Sequence, residues 1–131
     1  MSFIPKYILK RMCPKDCARA VEGGTELTLI NVISPLSIDE MPDDLENHFE
    51  VHVDGEPLSK DILEKCRITV NDKEYTLKNA KEFEKELIPV GGIVKAFAPL
   101  THLKPGEEHS VRLKLSLMGA DIDVEITRVI Q

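Results

Sequence analysis

The chain has 131 residues, 42% apolar and 31% charged, which is enough for one domain, residues 1–131, that buries a core without disulfides. Its formal charge of −6 argues against nucleic acid as a partner, because that affinity rests chiefly on Lys and Arg neutralising phosphates. The apolar run between Met1 and Arg11 is too short for a signal peptide and no later stretch reaches membrane-spanning length, and three cysteines, an odd number, suit a reducing, cytoplasmic compartment better than a disulfide framework.

From Phe3 to Ala20 the pattern is ambiguous: Tyr7, Ile8 and Leu9 fit a strand or a helix that Pro14 interrupts. Cys13 and Cys17 stand four apart, which is not the C-x-x-C spacing of zinc or thiol-exchange sites, and they read as small semi-apolar residues at a packing surface. Gly23-Gly24 reads as a turn. Glu26 to Ile33 is predicted as a strand buried on both faces, with Leu27 and Leu29 on one side and Ile30 and Val32 on the other. Ser34 to Asn47, with two prolines and the acids Asp39, Glu40, Asp43, Asp44 and Glu46, reads as a long solvated loop with room for one helical turn. It lacks the D-x-D-x-D-G order of a calcium loop.

Phe49, Val51 and Val53 alternate with His48, Glu50, His52 and Asp54, which predicts a half-buried strand ending at the turn Asp54-Gly55. After a polar link at Ser59 to Lys65, Arg67 to Leu77 is predicted as a hairpin around Asn71-Asp72, with Ile68 opposite Tyr75 and Cys66 opposite Leu77. Asn79 and Glu82 resemble a capping box for a short helix whose inner face carries Ala80, Phe83 and Leu87. Val90 to Leu100 reads as a strand starting at Gly91-Gly92, and Leu103 to Glu107 as a turn. In the last hairpin Val111, Leu113, Leu115 and Leu117 alternate with polar residues, and the alternation resumes at Ile122, Val124 and Ile126. A two-residue loop at Gly119-Ala120 sets Leu117 opposite Ile122, Leu115 opposite Val124 and Leu113 opposite Ile126. About seven strands with little helix predict an all-β fold: an antiparallel two-sheet β-sandwich, immunoglobulin-like or jelly-roll-like, with one short helix.

His48, Glu50 and His52 on one strand face, with Asp54 following, are a candidate Zn²⁺ or Mn²⁺ site, and a small metal-dependent enzyme is one reading of the chain. The preferred reading is the solvated face of a half-buried strand. His102 and His109 flank the Lys104-Pro105-Gly106 turn and read as surface residues. No Ser or Cys nucleophile has a partner implied by motif, and Gly91-Gly92 lacks the strand-then-helix context of a phosphate loop. Phe3, Ile4, Tyr7, Pro35, Leu36, Ile38 and Met41 are a candidate exposed patch and subunit contact. The competing reading is that they cover the edge of the chain's own core.

Beyond these local patterns, the chain resembles the small (β) subunits of bacterial C-glycoside deglycosidases over nearly its whole length. The segments that carry this are Phe3-Ile4-Pro5-Lys6-Tyr7-Ile8, Pro35-Leu36-Ser37, Val51-His52-Val53-Asp54-Gly55-Glu56, Ile68 to Leu77, and Leu103 to His109, in that order. The family commonly carries an aromatic-Arg-Gly triplet before Pro-Leu-Ser, where this chain has Val32-Ile33-Ser34. The resemblance implies a hetero-oligomer in which a larger TIM-barrel subunit holds a divalent metal, usually taken as Mn²⁺, and the catalytic base. It also implies a substrate, a C-glycoside already oxidised to the 3-keto sugar, held mainly by that partner. The C3 ketone, polarised by the metal, acidifies the C2 hydrogen. As the resemblance implies, the C2 proton goes to the base, the phenol-bearing ring is protonated at its glycosylated carbon, and collapse of the enolate then breaks the bond between C1 and that carbon, giving the free flavonoid-type aglycone and an unsaturated anhydro keto-sugar. No catalytic, cofactor or metal-binding residue is carried over to this chain. The competing function is a stand-alone binding module for carbohydrate or protein, which the absence of Trp weakens for sugars.

Overall fold

The computed structural model describes residues 6–37, 40–84, 86–117 and 120–131. Among these residues nine strands, where about seven were expected, form the two antiparallel sheets that the alternating patterns predict. The strands are β1 (Ala18–Val21), β2 (Gly24–Ile30), β3 (Phe49–Val53), β4 (Glu56–Pro57), β5 (Arg67–Val70), β6 (Lys73–Tyr75), β7 (Ile93–Ala98), β8 (Glu108–Leu117) and β9 (Ala120–Val129). The first sheet runs β1-β2-β7-β5-β6 and the second β4-β3-β8-β9. Two short helices, α1 (Lys6–Met12) and α2 (Lys60–Lys65), and two 3-10 segments, Leu45–Asn47 and Leu77–Phe83, complete the described elements. No helix among the described residues is long and apolar enough to cross a membrane.

The interior follows strand parity. In the first sheet Ala18, Leu27, Ala96, Ile68 and Tyr75 fall in register on the inner face, while Arg19, Glu26, Phe97 and Arg67 fall in register on the outer one. There Arg19 grips Glu26 at 2.9 Å and the Arg67 guanidinium lies 4.2 Å from the centre of the Phe97 ring. β2 ends at Ile30, short of the predicted Ile33, and none of its residues is exposed on either face. At one end of the sandwich Ala18, Val53, Leu100, Leu103 and Ile130 form a buried cluster, joined by Leu58 and by Ile62 of α2. At the other end Phe83 packs against two buried clusters, one of Met41 and Ala80, which Leu115 and Leu117 also cover, and one of Val70, Tyr75 and Ile88.

Several local expectations are corrected. In the last hairpin Leu117 pairs with Ala120, Leu115 with Ile122, Leu113 with Val124 and Val111 with Ile126, so Ala120 belongs to the strand and not to the predicted loop, whose other residue, Gly119, lies outside the described residues. A shift of two residues keeps every side chain on its face, so alternation alone cannot choose between the registers. The observed one gives Val111 an apolar partner where the other would oppose it to Arg128, and it sets Arg112 opposite Glu125 and Lys114 opposite Asp123. The segment around Asn79 is a 3-10 helix starting at Leu77. Its capping box joins Thr76 to Asn79, so the box is three residues earlier than predicted, and Leu87 lies beyond the helix, exposed. The β5–β6 hairpin has the expected Asn71-Asp72 loop, both residues at positive φ, and pairs Ile68 with Tyr75. Its strands stop short of Cys66 and Leu77. The polar link contains α2, begun by Ser59, whose Oγ accepts from Ile62 N–H at 3.4 Å.

Cys13 and Cys17 are buried, as expected of packing residues, but they are joined in a disulfide. The reducing compartment inferred from unpaired thiols loses that support. Arg128 of β9 reaches across to this loop: its Nε donates to the Cys13 and Pro14 carbonyls at 3.0 and 3.2 Å, placing a cation at the C-terminal end of α1.

Candidate partner interface

The face of β3 that carries His48, Glu50 and His52 is a ladder of alternating charge. In register, Glu50 lies opposite Lys114 and Lys114 opposite Asp123, while His52 lies opposite Arg112 and Arg112 opposite Glu125. The two imidazoles turn to different carboxylates: His48 Nε2 lies 3.1 Å from Asp44 Oδ1, and His52 Nε2 lies 3.5 Å from Glu50 Oε2. Among the described residues no group of three or more His, Cys, Asp or Glu side chains converges where a cation could be held.

His109, read from sequence as a surface residue, is a tie between elements. Its Nδ1 lies 2.6 Å from Asp54 Oδ2 and its Nε2 3.3 Å from Glu107 Oε1, while Asp54 Oδ1 accepts from Ser110 N–H at 2.9 Å. Asp54 adopts positive φ at the β3–β4 turn, so this cluster fastens the turn to the start of β8. The Asp54 hydrogen bond and the Glu107 carboxylate raise the His109 pKa above its ordinary value. The Ser110 N–H, then His109, lower that of Asp54, and the Lys104 N–H, then His109, lower that of Glu107. Both ring nitrogens face carboxylates, so the imidazole is unsuited to act as a base.

A pH dependence follows from these directions. The raised imidazole contributes stability that is complete below its ordinary value of 6.5 and is lost as pH rises through its folded value. The lowered carboxylates contribute stability present above 3.8 and 4.5 and lost as pH falls through their folded values. His109→Gln is therefore expected to flatten the decline in melting temperature between about pH 6 and about pH 8. A decline of unchanged slope in that variant would show that His109 is not its source.

The surface that looks made for contact is at one end of the first sheet, where β2 leaves and β7 enters. Ile33, Leu87, Val90 and Ile93 are 52 to 57% exposed. Main-chain and amide bonds hold them together. Ile30 pairs with Ile93, and Asn31 N–H donates to the Gly92 carbonyl at 2.9 Å. Leu36 bridges Ile88, and Asn31 Nδ2 donates to the Ser34 and Ile88 carbonyls at 2.8 and 3.0 Å. Asn71 Nδ2 donates to Leu87 O at 2.9 Å and to Glu86 Oε1 at 2.8 Å, which fixes the segment before Ile88 to the β5–β6 hairpin. Gly92 N–H closes a turn on Pro89 O at 2.9 Å, with Gly91 at φ 88 in the third position that a type II turn reserves for glycine. A Cβ on Gly92 would stand 2.8 Å from the Pro89 carbonyl. The turn thus holds Val90 at an exposed tip, a position usually given to polar residues.

No protein-family model matches the chain, and no curated protein matches it.

The residues proposed from sequence as a contact patch are divided by the structure. Tyr7 is exposed on α1, and Pro35 is exposed beside the Leu36–Ile88 bridge. Leu36 is half-buried against Val70, Tyr75 and Ile88, and Met41, only 5% exposed, belongs to the core with Ala80. Met41 therefore has no surface to offer a partner, and the reading that these residues cover the chain's own core holds for it. Phe3, Ile4 and Ile38 lie outside the described residues. Sequence reasoning missed Leu87, Val90 and Ile93. The one signal available was a valine flanked by Pro89 and Gly91, apolar where a turn was due.

Proposed function

We propose that the chain is the small, non-catalytic subunit of a heteromeric C-glycoside deglycosidase. The observation that carries this reading is the exposed apolar end formed by Ile33, Leu87, Val90 and Ile93. An apolar cluster of that kind is costly in water and is kept where a partner covers it. Pro35-Leu36-Ser37, one of the segments in which the chain resembles the family, lies in the same end through the Leu36–Ile88 bridge.

In such an assembly the metal, held by the larger subunit, would supply Lewis acidity toward the C3 ketone. The role of this chain is to seat the larger subunit on a rigid, pre-ordered surface. A carbohydrate module standing alone is less well supported. Tyr75 is buried, the Phe97 ring lies under Arg67, and among the described aromatic residues only Tyr7 is more than half exposed.

Co-expression with a TIM-barrel subunit of a C-glycoside deglycosidase tests the reading. The two chains are expected to co-purify, and the 3-oxo-C-glycoside to be cleaved by the pair and by neither chain alone. Separate elution, or full activity of the larger subunit alone, would refute it.

A further inference from the structure

Independently of the apolar end, hydrogen bonding in the second sheet defines a second surface. Ser116 N–H donates to His48 O at 2.9 Å and Ser110 O accepts from Asp54 N–H at 2.8 Å, so even-numbered residues of β8 serve β3 and odd-numbered ones serve β9. In the observed register those odd residues face the even residues of β9. The N–H and C=O groups of Asp123, Glu125 and Thr127 therefore point away from β8. Gln131, next in the same series, confirms the phase: its N–H donates to Ala18 O and its C=O accepts from Ala20 N–H, at 2.9 and 3.0 Å. Between Ala120 and Thr127 no described strand pairs with the outer edge of β9.

Charge says what fits there. Across the solvent face the sign alternates from Glu50 to Lys114 to Asp123, and Arg112 stands between His52 and Glu125. Arg112 donates from Nε and Nη2 to the two Asp123 carboxylate oxygens, at 3.0 Å each, and Glu125 has no ion pair among the described residues. A second copy of this chain laid antiparallel along the edge would set Asp123 and Glu125 against their own counterparts, and like charges directly opposite are destabilising. The next member of the ladder is basic. The inner face of β9 carries half-buried Val124 and Ile126, which an apolar side chain on an added strand would cover.

We propose that the outer edge of β9 is a strand-addition site for a partner segment that alternates Lys or Arg with apolar residues. The main chain supplies hydrogen bonds through residues 123 and 125 and through the N–H of Thr127, whose carbonyl already accepts from Arg128 Nη1 at 2.7 Å, and Glu125 selects for the basic side chain.

Capped peptides of alternating Lys and Val, of alternating Glu and Val, and of the Lys–Val composition in scrambled order are the probes, with amide exchange of the full chain followed by NMR. The alternating Lys–Val peptide is expected to slow exchange at Glu125 and Thr127, while the other two leave it unchanged. Glu125→Lys is expected to weaken Lys–Val binding about fivefold. Glu125→Pro removes an outward donor while leaving the β8 ladder intact, and is expected to abolish binding. Four results would overturn the proposal: no binding by the Lys–Val peptide, equal binding by the scrambled one, protection of both amides in the free monomer, or a dimer that protects them.

Discussion

Phe83→Ala is expected to lower the unfolding free energy by about 3 kcal/mol, at the lower end of the range for removing a phenyl ring from a core because the side chain is only partly buried. The ring is the joint between two buried clusters, one holding Leu115 and Leu117 of the second sheet, the other Val70 and Tyr75 of the first. It also meets Tyr75 edge to face, with centroids 5.0 Å apart and planes at 89°, an arrangement that adds to burial. The void left would open onto both clusters, and neither can close it without moving a sheet. Urea titration followed by far-UV circular dichroism measures this. A loss below about 1 kcal/mol would mean that the two ends of the sandwich hold together without the ring.

Val90→Glu combined with Ile93→Lys is expected to weaken association with the larger subunit about a hundredfold, or about 2 to 3 kcal/mol, because it places charges in the centre of the proposed contact. Both side chains are more than half exposed, so the isolated chain should keep its melting temperature, with a stability change within about 0.5 kcal/mol. Surface plasmon resonance against the immobilised larger subunit separates the two effects. Unchanged affinity with intact co-purification would move the contact elsewhere while leaving the functional reading in place.

The strands with one dry face were legible because alternation is a direct record of a sheet that faces a core, as in β3, β8 and β9. The Asn71-Asp72 loop was legible because both residues tolerate the positive φ the turn demands. The exact β8–β9 pairing was not, since a slip of two residues preserves every face and only cross-strand partners distinguish it. α2 escaped notice because its six residues owe their helicity less to propensity than to Ile62 and Leu63 packing inward. Leu87, Val90 and Ile93 were assigned to a helix face and a strand, because which apolar residues stay exposed is settled only when the elements meet. Cys13 and Cys17 were read as packing residues and are buried, but their pairing was not legible, because the four-residue spacing matches no thiol motif and the two sulfurs close a loop beyond the end of α1 at Met12.

The bonds that tie Ala18 and Ala20 to Gln131 bear on the order of folding. They join main-chain groups separated by more of the sequence than any other described main-chain pair. Loop-closure entropy makes such a contact one that nearer pairings must precede, so β1 gains this neighbour only after the last hairpin has docked. Until then its outer main-chain groups stand open, and a chain delayed at that stage is the species most prone to associate wrongly with its own kind.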